Sequence, residues 1–511
     1  MKTNHLVLVG ILALKFTLQA LLIHPVYDLQ RDEYLHLDQG LHLAWGYISV
    51  PPMTSWFSFL IQSLGGGVFW VKFFPAVFGA LTLILVWKMI EKLDGHLFAC
   101  LLGTSALLIS PLLRINTLYQ PNSFDIFFWT LAFYILVRWI QTHESRWIYT
   151  AAITFALGFY SKYNILILVA ALLPAILLSS HKKIFLNKHL YIAIALTGVL
   201  ILPNLVWQYQ NDFPTLRQLR ELAGTQLAHV DRAGFLKDQL LYFINSLFII
   251  VIAFAGFIFY SPFKPYRVIG ITYLVAMALF IFFRAKSYYA LGLYPVLLAF
   301  GSVYFTYLTT TGWKKFLRPA ALAILVLLFI PFILIGFPNK SPDQIKSNLQ
   351  LYRDFGALQW EDGKEHHLPQ DFADMLGWRE LAQKVDAVVD TIRNKEQTLV
   401  LCDNYGEAGA INYYSRHKHM NAVSFNADYI NWFDLDITIL NVIRVIEKQE
   451  VQKEIDDITP LFSSVSRAGA IENPDAREYG TTIIVFKDAK VDINALITKE
   501  IEEVKSGSDT Q

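Results

Sequence analysis

The sequence predicts a polytopic α-helical membrane domain followed by a small α/β domain that folds in water. Composition is the first reason: 54% of the 511 residues are hydrophobic and only 17% are charged, against about 25% charged in an ordinary soluble chain. The second is placement. Long apolar runs fill residues 1–338, whereas residues 340–511 have the mixed composition of a globular domain. The third is a recurrence of Lys and Arg in alternate short segments between the runs.

A helix needs roughly 20 apolar residues to cross the hydrocarbon core. About eleven segments meet or approach that length: 6–24, 68–90, 96–113, 124–140, 147–161, 164–180, 189–207, 239–260, 266–284, 288–308 and 319–337. The first also has a signal-peptide reading, with Leu18-Gln19-Ala20 as the cleavage site. Its apolar stretch runs from Leu6 to Ile23, longer than the roughly 7–15 residues of a signal core, so a retained span is expected. The orientation downstream is the same in both cases.

Basic residues orient the spans. With a cytoplasmic N-terminus, the inner loops hold Lys92, Arg138, Arg146, Lys182, Lys183, Lys188, Lys264, Arg267, Lys314, Lys315 and Arg318. The outer side receives segments 25–67, 114–123, Lys162-Tyr163, 208–238 and 284–288, and the C-terminal domain. Arg31, Arg114, Lys162, Arg217, Arg220, Arg284 and Lys286 stand on that side against the general bias. An anionic ligand at the outer surface accounts for them; so do lipid headgroups. A net charge of +1 gives no reason to expect nucleic acid. Cys100 and Cys402 lie in different regions and form neither a disulfide framework nor a metal knuckle.

Pro25 should end the first span. From Asp32 onward Tyr34, Leu37, Leu41 and Ala44 recur at helical spacing. Asp32 and Glu33 fall in the first turn, where acids suit the positive end of the helix dipole. Asp32 and His36 are four apart and share a face, with Arg31 adjacent. This is a catalytic carboxylate pair where a span leaves the membrane, or an interfacial helix lying in the headgroups. Asp38 and His42 fall off that face, and the spacing matches no standard ligand set, so no metal site is expected. Pro51 and Pro52 impose a rigid extended turn before the chain re-enters an apolar helix. Gly65-Gly66-Gly67 lacks the Lys-Ser/Thr of a phosphate loop.

In the C-terminal region, Glu380 to Ile392 reads as an amphipathic helix and Thr398 to Cys402 as a buried strand. A Gly-containing turn from Asn404 to Gly409 follows, and Thr481 to Phe486 reads as another strand. Strand, turn and helix in succession indicate an α/β layer. The tail from Ser506 to Gln511 is expected to be disordered.

The run "RDEYLHLDQGLHLAWGYISVPP" (Arg31 to Pro52) resembles the first periplasmic loop of bacterial relatives of protein O-mannosyltransferases and aminoarabinose lipid A transferases. Five further stretches are similar to the same group, in order: "YQPNSFDIFFW" (Tyr119 to Trp129), "GFYSKYN" (Gly158 to Asn164), "LPNLVWQYQNDFPTLRQLREL" (Leu202 to Leu222), "RAKSYYALGLYPVLLA" (Arg284 to Ala299) and "DNYGEAGAINYY" (Asp403 to Tyr414). The resemblance implies a GT-C glycosyltransferase domain over 1–338, with its first outer loop at 25–67, and a soluble extracytoplasmic domain over 340–511. It implies a location in the bacterial inner membrane, a sugar donor on a polyprenyl phosphate, and a lipid, protein or glycan acceptor approached from the extracytoplasmic side. Membrane lipids are the other partner, and no cofactor is expected.

In such enzymes an acid just after the first span is the general base; here that is Asp32, with Glu33 as its assistant. The leaving lipid phosphate then needs positive charge. Lys162 and Lys286, with Tyr163 and Tyr288 just after them, are the first candidates, and Arg114 is a third. Each lysine interrupts an apolar helix end, where an ion is costly; snorkelling to the interface is the plain alternative. Asp125 would orient one of these cations, and Arg31 and His36 would support the acids. Single displacement would invert the anomeric centre. Two other functions compete: a lipid or polyprenyl-sugar flippase, expected to carry a two-half repeat and midplane charges, and a membrane-anchored sensor or assembly factor, which leaves the first outer loop unexplained.

Overall fold

A computed structural model describes residues 2–224 and 231–506. Of the tail expected to be disordered, only Ser506 lies among them. The chain divides into two compact units: residues 1–22, 44–57 and 63–337 form the first, and residues 23–43, 58–62 and 338–511 the second.

The first unit is helical at each of the eleven expected spans. Among the described residues seven helices are long and apolar enough to cross a membrane, and eight if one bent pair is a single span. The chain has the fold of a multi-pass membrane protein. The bent pair is Arg232–Tyr242 with Leu247–Phe259, broken by 99° where the sequence indicated one span at 239–260. Buried Asn245 lies in the break and donates to the carbonyl of Ile109 at 2.6 Å and to that of Leu325 at 3.3 Å. Segment 96–113 is also interrupted, its helix ending at Leu108 ahead of Ser110-Pro111. Leu97–Leu108 and Ile165–Leu177 are short apolar helices.

Hydrocarbon supplies no hydrogen bonds, so polar side chains inside these helices must find partners within the protein. Thr82, Thr104, Thr130, Thr272, Ser302 and Thr306 each bond back to the carbonyl four residues earlier. Lys15, buried in the first helix, donates to the carbonyl of Ala76 at 2.7 Å and to Gln19. Helix Tyr294–Leu308 approaches Leu247–Phe259 closely enough that a Cβ at Gly301 would fall 2.0 Å from the carbonyl oxygen of Ile249.

The second unit is the α/β layer. Its strands are β1 (Thr398–Cys402), β2 (Ala422–Ser424), β3 (Asn441–Ile446), β4 (Phe462–Ala470) and β5 (Thr482–Ala489). They order as β2-β1-β3-β5-β4. β1 pairs in parallel with β2 and β3, while β5 runs antiparallel to β3 and β4. β1 and β3 are buried at every position, as central strands covered on both faces must be. On one face Leu399, Leu401 and Ile484 pack with Ile493 and Ile497 of the C-terminal helix. Helix Trp378–Thr391 realises the amphipathic segment expected from Glu380.

The first outer loop contributes a short helix, Arg31–Asp38, to this unit. The helical spacing in the sequence continued through Leu41 and Ala44, but the helix stops at Asp38. Gly40 lies against Ser58, where a Cβ would come within 2.5 Å of the serine Cβ, and Leu41 is 63% exposed. Tight packing at Gly40 turns the chain away, so the last two apolar positions never share the helix face.

Candidate functional site

Helix Arg31–Asp38 begins with a capping box. Gln30 Oε1 accepts from the Asp32 N–H at 2.9 Å, and Glu33 Oε2 accepts from the Gln30 N–H at 2.7 Å. These bonds satisfy helix N–H groups that have no partner inside the helix. Glu33 is wholly buried in that role, whereas Asp32, one residue earlier, is partly exposed. The two neighbouring acids therefore occupy different environments.

Asp32 Oδ1 accepts from the Tyr405 hydroxyl at 2.7 Å. The Arg31 guanidinium lies over the same tyrosine ring, 4.5 Å from its centroid. Tyr405 opens helix Tyr405–Tyr414, which packs along Arg31–Asp38 through two glycines. A Cβ at Gly406 would meet Arg31 Cγ at 2.6 Å, and one at Gly409 would meet Tyr34 Cβ at 2.6 Å. Three residues apart, these glycines present one bare helix face.

The far end of the loop helix is fixed by buried polar groups. Asp38 Oδ2 accepts from Asn412 Nδ2 and from the Tyr429 hydroxyl, both at 2.7 Å, and Gln39 Nε2 donates to Asp428 at 2.8 Å. His36 feels the charges of Asp32 and Glu33 and bonds through Nδ1 to Gln39 at 3.2 Å, and burial lowers its pKa. Ahead of the helix, Asp28 pairs with Arg379 at 2.6 Å.

Burial pushes the Asp38 carboxyl up to about 6, against Asn412, Tyr429 and the charge of Lys418, which favour its ionised form. An aspartate in the unfolded chain titrates near 3.9. The folded state thus holds the extra proton between about pH 4 and pH 6, and the stability contributed by Asp38 is lost as pH rises through that window. Asp38→Asn keeps an acceptor for both donors and removes the titration. Thermal unfolding of the full chain in detergent should lose about 3 kcal/mol of pH dependence across the window. An unchanged slope would show that Asp38 ionises as it does in the unfolded chain.

In the first unit a second polar group surrounds Lys162. Its ammonium donates to Asn122 Oδ1 at 2.7 Å and stands 4.0 Å from the Tyr289 ring centroid and 5.0 Å from that of Tyr288. Lys286 is near enough for the two ammonium groups to repel each other. Asp125 accepts from Trp129 Nε1 and Asn164 Nδ2, both at 2.9 Å, and feels the charge of Lys162. Asn164 also donates to the Tyr289 carbonyl at 3.0 Å, which ties the Lys286 segment to the Lys162 turn. Tyr163 turns to helix Lys188–Gln210, where it accepts from Gln208 at 3.0 Å and bonds Asn204. Arg114 is buried and donates to Thr117 within its own turn at 2.9 Å. Two neighbouring cations, one of them beside two tyrosine rings and within reach of an acid, are a group whose chemistry suits an anion.

Sequence reasoning missed Tyr405, Asn412, Tyr429, Asn122 and Tyr289. Gly406-x-x-Gly409 was the available signal for the first three, since paired glycines on one helix face mark a close approach. Asn122 and Tyr289 stand beside residues the sequence had singled out.

The family model for dolichyl-phosphate-mannose-protein mannosyltransferases matches residues 49–207. Lipid A galacturonosyltransferase RgtD of Rhizobium johnstonii is 25% identical over 194 residues, which are 37% of this chain and 40% of that protein. The chain thus spans about two-fifths of the length of the curated relative it matches. Among solved structures, ArnT from Cupriavidus metallidurans bound to undecaprenyl phosphate has a TM-score of 0.61 at 12% identity, over 94% of this chain and 97% of that one. Oligosaccharyltransferase AglB from Archaeoglobus fulgidus, in complex with an inhibitory peptide and a dolichol-phosphate, has a TM-score of 0.51 at 10% identity, over 88% of this chain and 71% of that one. At these identities the likeness to both structures is one of fold.

Proposed function

We propose that this chain, whose residues 49–207 match the family model for dolichyl-phosphate-mannose-protein mannosyltransferases and whose fold is like that of ArnT, is a GT-C glycosyltransferase that transfers a sugar from a polyprenyl-phosphate donor to a hydroxyl acceptor. The observation that carries the reading is Asp32. It is a partly exposed carboxylate in the first turn after the first span, held through one oxygen by Tyr405, while its neighbour Glu33 is consumed by the helix cap. In the proposed step the acceptor hydroxyl gives its proton to Asp32 as its oxygen attacks the anomeric carbon. The bond from that carbon to the phosphate oxygen breaks, and the lipid phosphate leaves with the electron pair. Lys162 and Lys286 supply positive charge to the phosphate as its charge grows. A single displacement inverts the anomeric centre.

RgtD, named for lipid A, and ArnT, crystallised with undecaprenyl phosphate, support a lipid-phosphate donor and an envelope acceptor. Mass spectrometry of envelope lipids and glycans, with and without the gene, tests the reading. A species heavier by one sugar should vanish on deletion and return on complementation; an unchanged profile would reject it.

The proposed setting is the bacterial inner membrane, with residues 338–511 and the first outer loop on the extracytoplasmic side. Reporter fusions after Lys183 and after Ser341 should then report opposite sides. Both on one side would contradict the orientation.

A further inference from the structure

We infer that Tyr405 is a positioning residue for the Asp32 carboxylate, so that the α/β part of the chain helps set the proposed base. The inference rests on Asp32 being that base. Three observations support it.

The tyrosine donates a short hydrogen bond, 2.7 Å, to Asp32 Oδ1. A proton acceptor is effective only when its oxygen is aimed, and one fixed bond on a carboxylate removes much of its rotational freedom. The tyrosine is itself immobilised. It is the first residue of its helix, whose cap closes around it: Asn404 Oδ1 accepts from the N–H groups of Gly406 and Glu407 at 2.9 and 3.1 Å, and Glu407 Oε2 accepts from the Asp403 N–H at 3.1 Å. Arg31 covers the ring, and Gly406 leaves no room for a side chain between the arginine and the helix.

The direction of the bond is also settled. Burial, and then the nearby Asp32 charge, push the Tyr405 hydroxyl far above its ordinary range, and Arg31 opposes them only in part. The phenol keeps its proton and donates. Arg31, Asp32 and Asp374 are the charged groups acting on that hydroxyl, while Asp32 and Glu33 both act on His36.

A tyrosine that merely packs would produce the same contact, so the test must read the carboxylate. Full-length variants are expressed in a deletion strain, and product is followed by mass spectrometry in membranes that contain the native donor and acceptor pools. Tyr405→Phe keeps the ring under Arg31 and removes only the donor. Turnover should fall about tenfold. The loss should fall on kcat and leave KM unchanged, because the hydroxyl aims the carboxylate and does not bind substrate. Asp32→Asn with Tyr405→Phe should be no worse than Asp32→Asn alone, since both remove one function.

An inactive Asp32→Asn beside a Tyr405→Phe of unchanged kcat would overturn the inference and leave Asp32 as the base. Full activity in Asp32→Asn would overturn both. Additive losses in the double variant would assign Tyr405 a separate role and overturn the inference alone. If Tyr405→Phe fails to accumulate, 3-fluorotyrosine at position 405, a stronger donor on the same ring, should change kcat and leave KM unchanged; an unchanged kcat would overturn the inference.

Discussion

Asp32→Asn should lower sugar transfer by a factor on the order of 10²–10⁴, the usual contribution of a positioned general base. The substitution is nearly isosteric, and its carbonyl oxygen can still accept from Tyr405, so the loop helix should stay in place. Binding of the proposed polyprenyl-phosphate donor should survive, because a carboxylate adds nothing favourable to holding an anion. Glu33→Gln is expected to be much milder. Glu33 is buried and its oxygen already receives the Gln30 N–H. Glutamine can accept the same bond, so the cost is a weakened cap, about 1 kcal/mol or less. The reverse ranking, with Glu33→Gln inactive and Asp32→Asn active, would exchange the two roles.

Lys162→Met carries the second largest expected effect. Methionine fills the space of the lysine stem beside Tyr288 and Tyr289 but loses the charge-assisted bond. Such bonds contribute about 1.5–3 kcal/mol, so affinity for the proposed polyprenyl-phosphate donor in nanodiscs should fall roughly 10–100-fold. Lys162→Arg should restore only part of it. The flat guanidinium does not reproduce a compact ammonium held between Asn122 and the Tyr289 ring. Affinity equal to that of the unaltered protein in Lys162→Met would leave the lysine a packing role against the two tyrosines.

The membrane spans were legible because a long apolar run has few alternatives to a buried or lipid-facing helix. Breaks inside them were not: Asn245 sits within an apolar window whose average conceals it, yet its bonds to two carbonyls accompany a 99° bend. β1 was readable from Thr398 to Cys402 because five consecutive buried residues admit little else. At the site, the first-turn position of Asp32 was visible, but the distinction between Asp32 and Glu33 was not. It depends on Gln30 serving as the helix cap, an uncommon residue for that position. Tyr405 lies 373 residues from Asp32, and no local period reports a contact of that separation. Only the glycines at 406 and 409 hinted that something packs closely there. Lys162 and Lys286 were each singled out by their chemistry, and their ammonium groups are near enough to repel each other, while Tyr163 turns towards Asn204 and Gln208.

Asp32 is proposed to drive transfer of a sugar out of a lipid-phosphate donor. The most direct measurement is complementation of a deletion strain with the unaltered chain or with Asp32→Asn, both verified at equal levels in the membrane. Envelope lipids and glycans are then weighed by mass spectrometry together with the polyprenyl-phosphate sugar pool. The glycosylated product should return only with the unaltered chain, while the charged donor accumulates with Asp32→Asn. Full product with Asp32→Asn would contradict the account, as would a deletion that changes only the side of the membrane on which an intact lipid is found.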